Sequence, residues 1–274
     1  MSAVRKSIGI GLMGMGVVGG GVARVLVEKR GELARQVGYP LNLRKILVKD
    51  LAEKCPVDEL CHLRTTNARE ILDDPEIDIV IEAMGGEHPA SDYIREALSK
   101  GKSVATANKE VMAKHGAELL RIAEEHAVDL LYEASVGGGI PIIAPVRQDL
   151  AANRISTLYA IINGTTNYIL TNMASEELDF SVALEQAQRL GYAEANPAND
   201  IEGIDAAYKL AILASIAFHA DIRFRDVYHE GISRIARRDF RYAREVGYAI
   251  KLHAIATEED NLIEARVHPT FIPE

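Results

Sequence analysis

Apolar residues in the first half of the chain come in short unbroken runs, each followed by a stretch with helical spacing. Ser7 to Met13 (SIGIGLM) predicts a buried strand, and Val17 to Arg30 then repeats its apolar positions at helical intervals, extending towards Gln36. The alternation recurs with strands at Leu41–Val48, Asp78–Ala83, Ser103–Ala107 and Asp129–Tyr132, and with helices at Ala90–Ser99 and from Lys109 to His126. Strands alternating with helices predict an open, doubly wound parallel sheet, here residues 1–140. Beyond that point the pattern changes. Ile155–Ile162 is strand-like, Thr165–Ala174 and Ser181–Leu190 are helical, and Tyr248–Thr257 and Leu262–Pro269 flank Glu258-Glu259-Asp260-Asn261 as a hairpin. Residues 141–274 therefore read as a second, α+β domain.

One helix of that domain departs from the amphipathic rule. From Ile204 to Ala220 (IDAAYKLAILASIAFHA) apolar residues occupy every face, and a helix apolar all round belongs in an interior. Its only charges are Asp205 and Lys209, which lie on one face a turn apart. On a half-exposed helix they would be an ordinary pair worth about a few tenths of a kcal/mol. In a core they are costly unless paired and further hydrogen-bonded, which makes them candidates for a polar site cut into the interior. Just upstream, Glu194, Asn199 and Asp200 lie in a loop rich in Gly and Pro, and Asp200 or Asn199 can cap the helix. His219, on the same helix, reads as a hydrogen-bonded core histidine.

Composition narrows the partners. With 48% hydrophobic and 26% charged residues, the chain can build real globular cores. A net charge of −9 argues against nucleic acid or an anionic membrane as the main partner, while leaving room for a local basic site that takes a phosphate. Cys55 and Cys61 fit no zinc or redox spacing, and no apolar run approaches the ~20 residues that span a bilayer. The N-terminal MSAVRKSIGIGLMGMG has glycines where a strand-to-loop turn needs them and no cleavage site after it. These features predict a soluble protein of a reducing compartment, most simply the cytoplasm.

Gly14-Met15-Gly16-Val17-Val18-Gly19 is a GxGxxG between a strand and a helix. Its first glycine permits the tight turn, the second lets backbone approach a pyrophosphate, and the third allows close helix–strand packing. That context is the dinucleotide fingerprint of a Rossmann-type fold. Lys49 and Asp50 end the second strand; an acid there favours the free ribose hydroxyls of NAD, a cation the extra phosphate of NADP, and the two side by side leave both open. Met84-Gly85-Gly86 and Thr106-Ala107-Asn108-Lys109 follow the next strands, at the carboxyl ends where open α/β sheets bind ligands. Glu133-Ala134-Ser135-Val136-Gly137-Gly138-Gly139-Ile140-Pro141 either offers carbonyls to a hard monovalent cation or turns the chain out of the first domain. The histidines offer little, since His115 and His126 are too far apart to share one metal.

Taken together, GLMGMGVVGGGV, TANKE, YEASVGGGIPII, INGTTNYIL and GYAEANPANDIEGIDAAYKLAILA resemble the homoserine dehydrogenase family in order and spacing, over nearly the whole chain. The resemblance implies a Rossmann-type domain followed by an α+β substrate-binding and dimerisation domain. It implies oxidation of L-homoserine to L-aspartate 4-semialdehyde with NADP or NAD, run physiologically as the reduction, in threonine, methionine and isoleucine biosynthesis. A homodimer is implied too. Lys209 matches the family's proton donor and Lys109 a second lysine between cofactor and substrate, with Glu194, Asp205 and Asp200 as substrate-binding acids. Gly14, Met15, Gly16, Val17, Val18, Gly19, Lys49, Asp50, Gly85, Thr106, Lys109 and Ser135 are expected against the cofactor. The carbonyls of Val136, Gly138 and Ile140, with Glu133, match a structural Na+ site. Asn199 stands where some relatives carry a second aspartate.

The chemistry suits these residues. Aldehyde reduction needs a hydride and a proton, and a lysine can donate the proton or stabilise the oxygen by charge; both remain open for Lys209. The family continues beyond VHPTFIPE, so the second domain is expected to be incomplete, with a sheet edge and sheet faces left uncovered. The 274-residue chain made alone is then expected to be poorly soluble and of little activity. Two other readings compete: an oxidoreductase acting on another amino-acid semialdehyde, and a non-catalytic NAD(P) sensor. Asp205 and Lys209 speak against the sensor, because sensing a dinucleotide needs neither.

Overall fold

The computed structural model describes residues 7–273, and the chain divides into two compact units, Met1–Ile140 and Pro141–Glu274. In the first, β1 (Ile8–Met13) leads through the glycine loop into α1 (Val17–Glu28). The backbone leaves the helical region at Lys29 (φ −105°, ψ 17°) before α2 (Arg30–Val37), so the single helix expected towards Gln36 is two. There follow β2 (Leu41–Leu47), β3 (Arg64–Thr65), α3 (Arg69–Leu72), β4 (Ile79–Glu82), α4 (Ala90–Ser99), β5 (Ser103–Thr106), α5 (Lys109–Glu125) and β6 (Leu130–Leu131). All six strands are parallel, in the order β3-β2-β1-β4-β5-β6. This is the doubly wound arrangement, with the chain starting at the centre and reversing direction between β1 and β4.

Leu12 and Met13 are adjacent and both fully buried, so both faces of β1 are covered, as a parallel sheet requires. Met13 pairs with Leu47 and with Glu82, and Glu82 with Thr106. Four strands thus end level, and the loops that follow them emerge along one edge of the sheet.

The second unit opens with a π-helical turn at Pro145–Asp149. Then come β7 (Thr157–Ala160), α6 (Gly164–Ser175), α7 (Phe180–Arg189), α8 (Ala198–Ile201), α9 (Ile204–Ala217), β8 (Tyr228–His229), α10 (Arg237–Glu245), β9 (Tyr248–Glu259) and β10 (Leu262–Pro273). The sheet order is β7-β9-β10-β8, antiparallel except for the short β10–β8 pair. α6 and α9 pack against β9, and α9 also against β10. Ten of the fourteen residues of α9 are buried, so this helix is the core of its unit.

Several local expectations are corrected. Asp260 and Asn261 both have positive φ (50° and 62°), the backbone of a two-residue hairpin turn, so β9 and β10 run further than the expected strands. α9 is capped not by Asp200 or Asn199 but by Gly203, whose φ of 79° turns the chain out of α8. His219 lies past the end of α9 with φ 51° and is exposed, so it is not a core histidine. α10 has only Phe240 and Ala243 buried among four arginines, a pattern with too little apolar signal to mark a helix in advance. A 3-10 turn at Asp58–Leu63 brings Cys61 back to Cys55, Cα atoms 5.9 Å apart, and the two form a disulfide that their spacing did not suggest. No helix among the described residues is long and apolar enough to cross a membrane.

Candidate functional site

In the first unit the glycine motif is fixed by close packing. Gly14 has φ 97°, and a Cβ there would lie 2.6 Å from the carbonyl oxygen of Ala83. A Cβ on Gly19 would lie 2.0 Å from the carbonyl oxygen of Gly14. Gly16, by contrast, has nothing within 4 Å of its missing side chain, so the backbone there is open to a ligand. It is the N-cap of α1, makes no side-chain cap, and is followed by no acid in the first turn. The first-turn N–H groups and the positive end of the helix dipole therefore face outward, the arrangement that receives a phosphate. Met15 is half-buried, while Val17 and Val18 are exposed.

Lys49 and Asp50 follow β2, and the Gly14 N–H donates to the Leu47 carbonyl at 2.9 Å, so the two loops are neighbours. Asp50 Oδ1 accepts from the Ala52 N–H at 2.9 Å, whereas Lys49 is exposed and makes no ion pair among the described residues. Gly85, with φ 77°, sits in the loop after β4.

Behind these loops lies a network that sequence reasoning missed. Glu82, at the end of β4, is fully buried. It accepts from the Met84 N–H at 2.7 Å and from Thr106 Oγ1 at 2.5 Å. Thr106 Oγ1 in turn accepts from the Asn108 N–H at 2.9 Å. Asn108 Nδ2 donates to the Gly86 carbonyl at 2.8 Å, while its Oδ1 accepts from the Val111 N–H and caps α5, whose first residue is Lys109. The ends of β4 and β5, the Gly85-Gly86 loop and Lys109 are thus braced by one buried carboxylate. The sequence signal was Glu82, an acid set among the apolar residues that follow Asp78 in DIVIEA. Thr106 is buried with its hydroxyl engaged here, and Ser135 likewise donates to the Tyr132 carbonyl at 2.6 Å. Glu133 begins the 3-10 turn that includes Ser135; Val136 is buried, and Gly138 and Ile140 are exposed.

In the second unit the two helix charges meet as an ion pair inside the core. Lys209 Nζ lies 2.6 Å from Asp205 Oδ2, with the side chains 18% and 3% exposed. The ammonium also donates to the Ile162 carbonyl at 3.0 Å. Asp205 sits in the first turn of α9, where the helix dipole favours a carboxylate. Asn163 adds what the sequence did not reveal. Its Nδ2 donates to Asp205 Oδ2 at 2.8 Å and to Asp200 Oδ1 at 2.7 Å. Asp200, Asp205 and Lys209 are thereby gathered around one amide. Glu194 is not drawn in: it is exposed, and its carboxylate has no partner among the described residues. Its loop is held by Thr165 Oγ1 on the Tyr192 carbonyl (2.7 Å), by the stacking of Tyr168 on Tyr192 (4.4 Å), and by Gln188 on the Glu194 carbonyl (3.0 Å). An ammonium with two hydrogens engaged, set beside carboxylates, can pass a proton or stabilise a developing oxyanion, and the acids can hold a cationic substrate group.

The fold and these residues define a protein with one dinucleotide-type unit and one unit built around an ionised core site. The family model for the NAD binding domain of homoserine dehydrogenase matches residues 14–133, and the homoserine dehydrogenase model matches residues 141–274. The homoserine dehydrogenase of Bacillus subtilis is 43% identical over 269 residues, covering 98% of this chain and 62% of the relative. Among solved structures, that of a homoserine dehydrogenase from Thiobacillus denitrificans superposes with a TM-score of 0.91 at 47% identity, covering 98% of this chain and 62% of that one. One of S. aureus homoserine dehydrogenase gives a TM-score of 0.88 at 39% identity, covering 98% of this chain and 68% of the other. The chain belongs to the homoserine dehydrogenase family. It spans about 62% of the length of the first of these relatives.

Proposed function

We propose that the protein interconverts L-homoserine and L-aspartate 4-semialdehyde with a nicotinamide cofactor, on the path to threonine, methionine and isoleucine. The observation that carries this reading is the Asp205–Lys209 pair, 2.6 Å apart inside the core of α9. Breaking such a pair costs several kcal/mol and keeping it adds little stability, so its retention fits chemistry better than architecture. The cofactor residues fit the group they would hold. Gly14 and Gly19 pack where any side chain would clash, while Gly16 leaves open the backbone that a pyrophosphate approaches.

When bound, the nicotinamide supplies the hydride for the aldehyde carbon. Lys209 then gives a proton to the nascent alkoxide or holds it by charge, with Asp205 and the Ile162 carbonyl fixing the ammonium. Asp200 and Asp205 take the substrate's own ammonium group, with Glu194 brought by its loop. Lys109 is assigned as the second catalytic lysine, braced through Asn108. Lys49, exposed and without an acidic partner, favours NADP over NAD, while Asp50, partly engaged by Ala52, leaves NAD acceptable. Gly85, Thr106 and Ser135, each at or beyond the carboxyl end of its strand, would border the cofactor. A Na+ ion suits the carbonyls of Val136, Gly138 and Ile140 with Glu133: oxygen donors match a hard cation, and Gly137 and Gly138, both at positive φ, allow the loop to wrap. We assign the protein to the cytoplasm as a homodimer formed through its second unit.

The test is NADPH consumption with aspartate semialdehyde set against other small aldehydes. The expected result is a clear preference for the semialdehyde. Preference for another aldehyde, with no binding of homoserine, would remove the substrate named here.

A further inference from the structure

We propose that Asn163 is a positioning residue for this reaction, resting on the reading of the second unit given above. Its amide fixes the spacing of Asp200 and Asp205 and, through Asp205, the seat of the Lys209 ammonium. Asn163 is 5% exposed and both polar atoms of its side chain are in use. Its Oδ1 accepts from the Thr166 N–H at 2.8 Å and from Thr166 Oγ1 at 2.9 Å, capping α6. Its Nδ2 donates one hydrogen to each carboxylate, 2.7 Å to Asp200 and 2.8 Å to Asp205. The orientation follows from the neighbours. A backbone N–H can only donate and an ionised carboxylate can only accept, so a flipped amide would face like groups on both sides.

Capping α6 needs only an acceptor oxygen, which Ser, Thr or Asp would supply equally well. What Asn adds is a pair of donors on the far side of the cap. Asp205 Oδ2 accepts from both Asn163 and Lys209, and Asp200 joins that group through the same amide. Two carboxylates on successive helices, α8 and α9, repel each other, and the amide bridges them without adding charge. Removing it would release Asp200 and take from Asp205 Oδ2 the donor it receives beside the Lys209 ammonium. The substrate's ammonium would then lose its paired seat, and the proton-bearing nitrogen its fixed direction.

Two substitutions separate the cap from the bridge. Asn163→Ser keeps an acceptor and loses both amide donors, its one hydroxyl being too short to span the two carboxylates; Asn163→Asp keeps size and acceptor but sets a third carboxylate against the other two. Each is made in a chain extended through the remaining length of its relatives and compared with that chain unsubstituted, by melting temperature, by calorimetry with homoserine in the absence of NADP, and by kcat and KM against pH. Both variants should fold, because the cap survives. Homoserine affinity and kcat should fall together, about tenfold or more for Asn163→Ser, the worth of a hydrogen bond to a charged group. Asn163→Asp should lose more near neutral pH and regain part of the loss towards about pH 5, where the introduced carboxyl takes up a proton and can donate again. The serine variant should show no such recovery. If the aspartate variant does not fold, the serine variant decides alone. Variants that bind and turn over homoserine like the unsubstituted chain at every pH overturn the role. Failure of the unsubstituted extended chain, folded by its melting transition, to bind homoserine removes the reading of the second unit, and this role with it.

Discussion

Replacing Lys209 by methionine keeps most of the aliphatic stem and removes only the ammonium. Asp205, 3% exposed at its side chain, then loses its counter-charge and keeps the Asn163 amide at 2.8 Å. Breaking a buried pair costs about 3–5 kcal/mol when no water reaches it. Lys209 is 18% exposed, so water can enter after the substitution and lower the loss to the bottom of that range or below it, about 2–3 kcal/mol. For a unit of this size that corresponds to a melting transition lowered by roughly 10 °C. Adding Asp205→Leu should recover most of the loss, because two apolar residues in place of a buried pair are usually neutral or better. The assay is calorimetric melting of the chain, the single variant and the double variant. Turnover, measured with the same substitutions in a chain extended through the remaining length of its relatives, should fall by ~10²-fold or more in both, since stability returns with the second substitution and chemistry does not. A single variant that melts with the unsubstituted chain would show that the pair is effectively solvated, and the argument from burial would fail.

Other predictions concern the first unit. Gly19→Ala would set a Cβ 2.0 Å from the Gly14 carbonyl, so it should destabilise the unit by about 1–3 kcal/mol or more, seen by melting, and abolish dinucleotide binding. Gly16→Ala, with open space around it, should leave melting unchanged and weaken only the cofactor. Lys49→Ala should weaken NADPH by about tenfold while leaving NADH nearly unchanged, read by fluorescence titration; equal effects would show that Lys49 does not read the 2′-phosphate. Glu87, hydrogen-bonded first by Lys114 and then by His115, is held down to a pKa of about 2. A depressed carboxylate contributes stability above its ordinary range and loses it as pH falls towards its folded value, so the contribution should fade between about pH 4.5 and 2. Glu87→Gln should flatten that part of the melting-versus-pH curve.

How far the sequence reached depended on whether a signal was local. The strands of the first unit were legible because a parallel strand buried on both faces is a continuous apolar run, and the glycine motif reports its turn and its packing directly. β3 and β8 are two residues each and, unlike the equally short β6 with its Leu130-Leu131, contain no apolar pair to mark them. The Asp205–Lys209 pair stood out because nothing else on that helix is charged. Asn163 did not, since its partners are 37 and 42 residues away and only the fold brings them near. Read locally, N-G-T-T is a helix start, which it also is. Glu82 was hidden for the same reason: an acid at the end of an apolar strand has no meaning until the end of β5 is laid beside it.

The central claim is that this chain moves a hydride to an aldehyde and that Lys209 serves the accompanying proton. It is tested most directly with NADPH deuterated at the transferable position, incubated with aspartate semialdehyde and the chain extended through the remaining length of its relatives, or the Lys209→Met variant of that extended chain, below the melting range of both. The account predicts deuterium on the carbinol carbon of homoserine, formed ~10²-fold or more slowly by the variant, with NADPH affinity the same in both. Homoserine without the label, or label arriving at the same rate with Lys209 replaced, would contradict it.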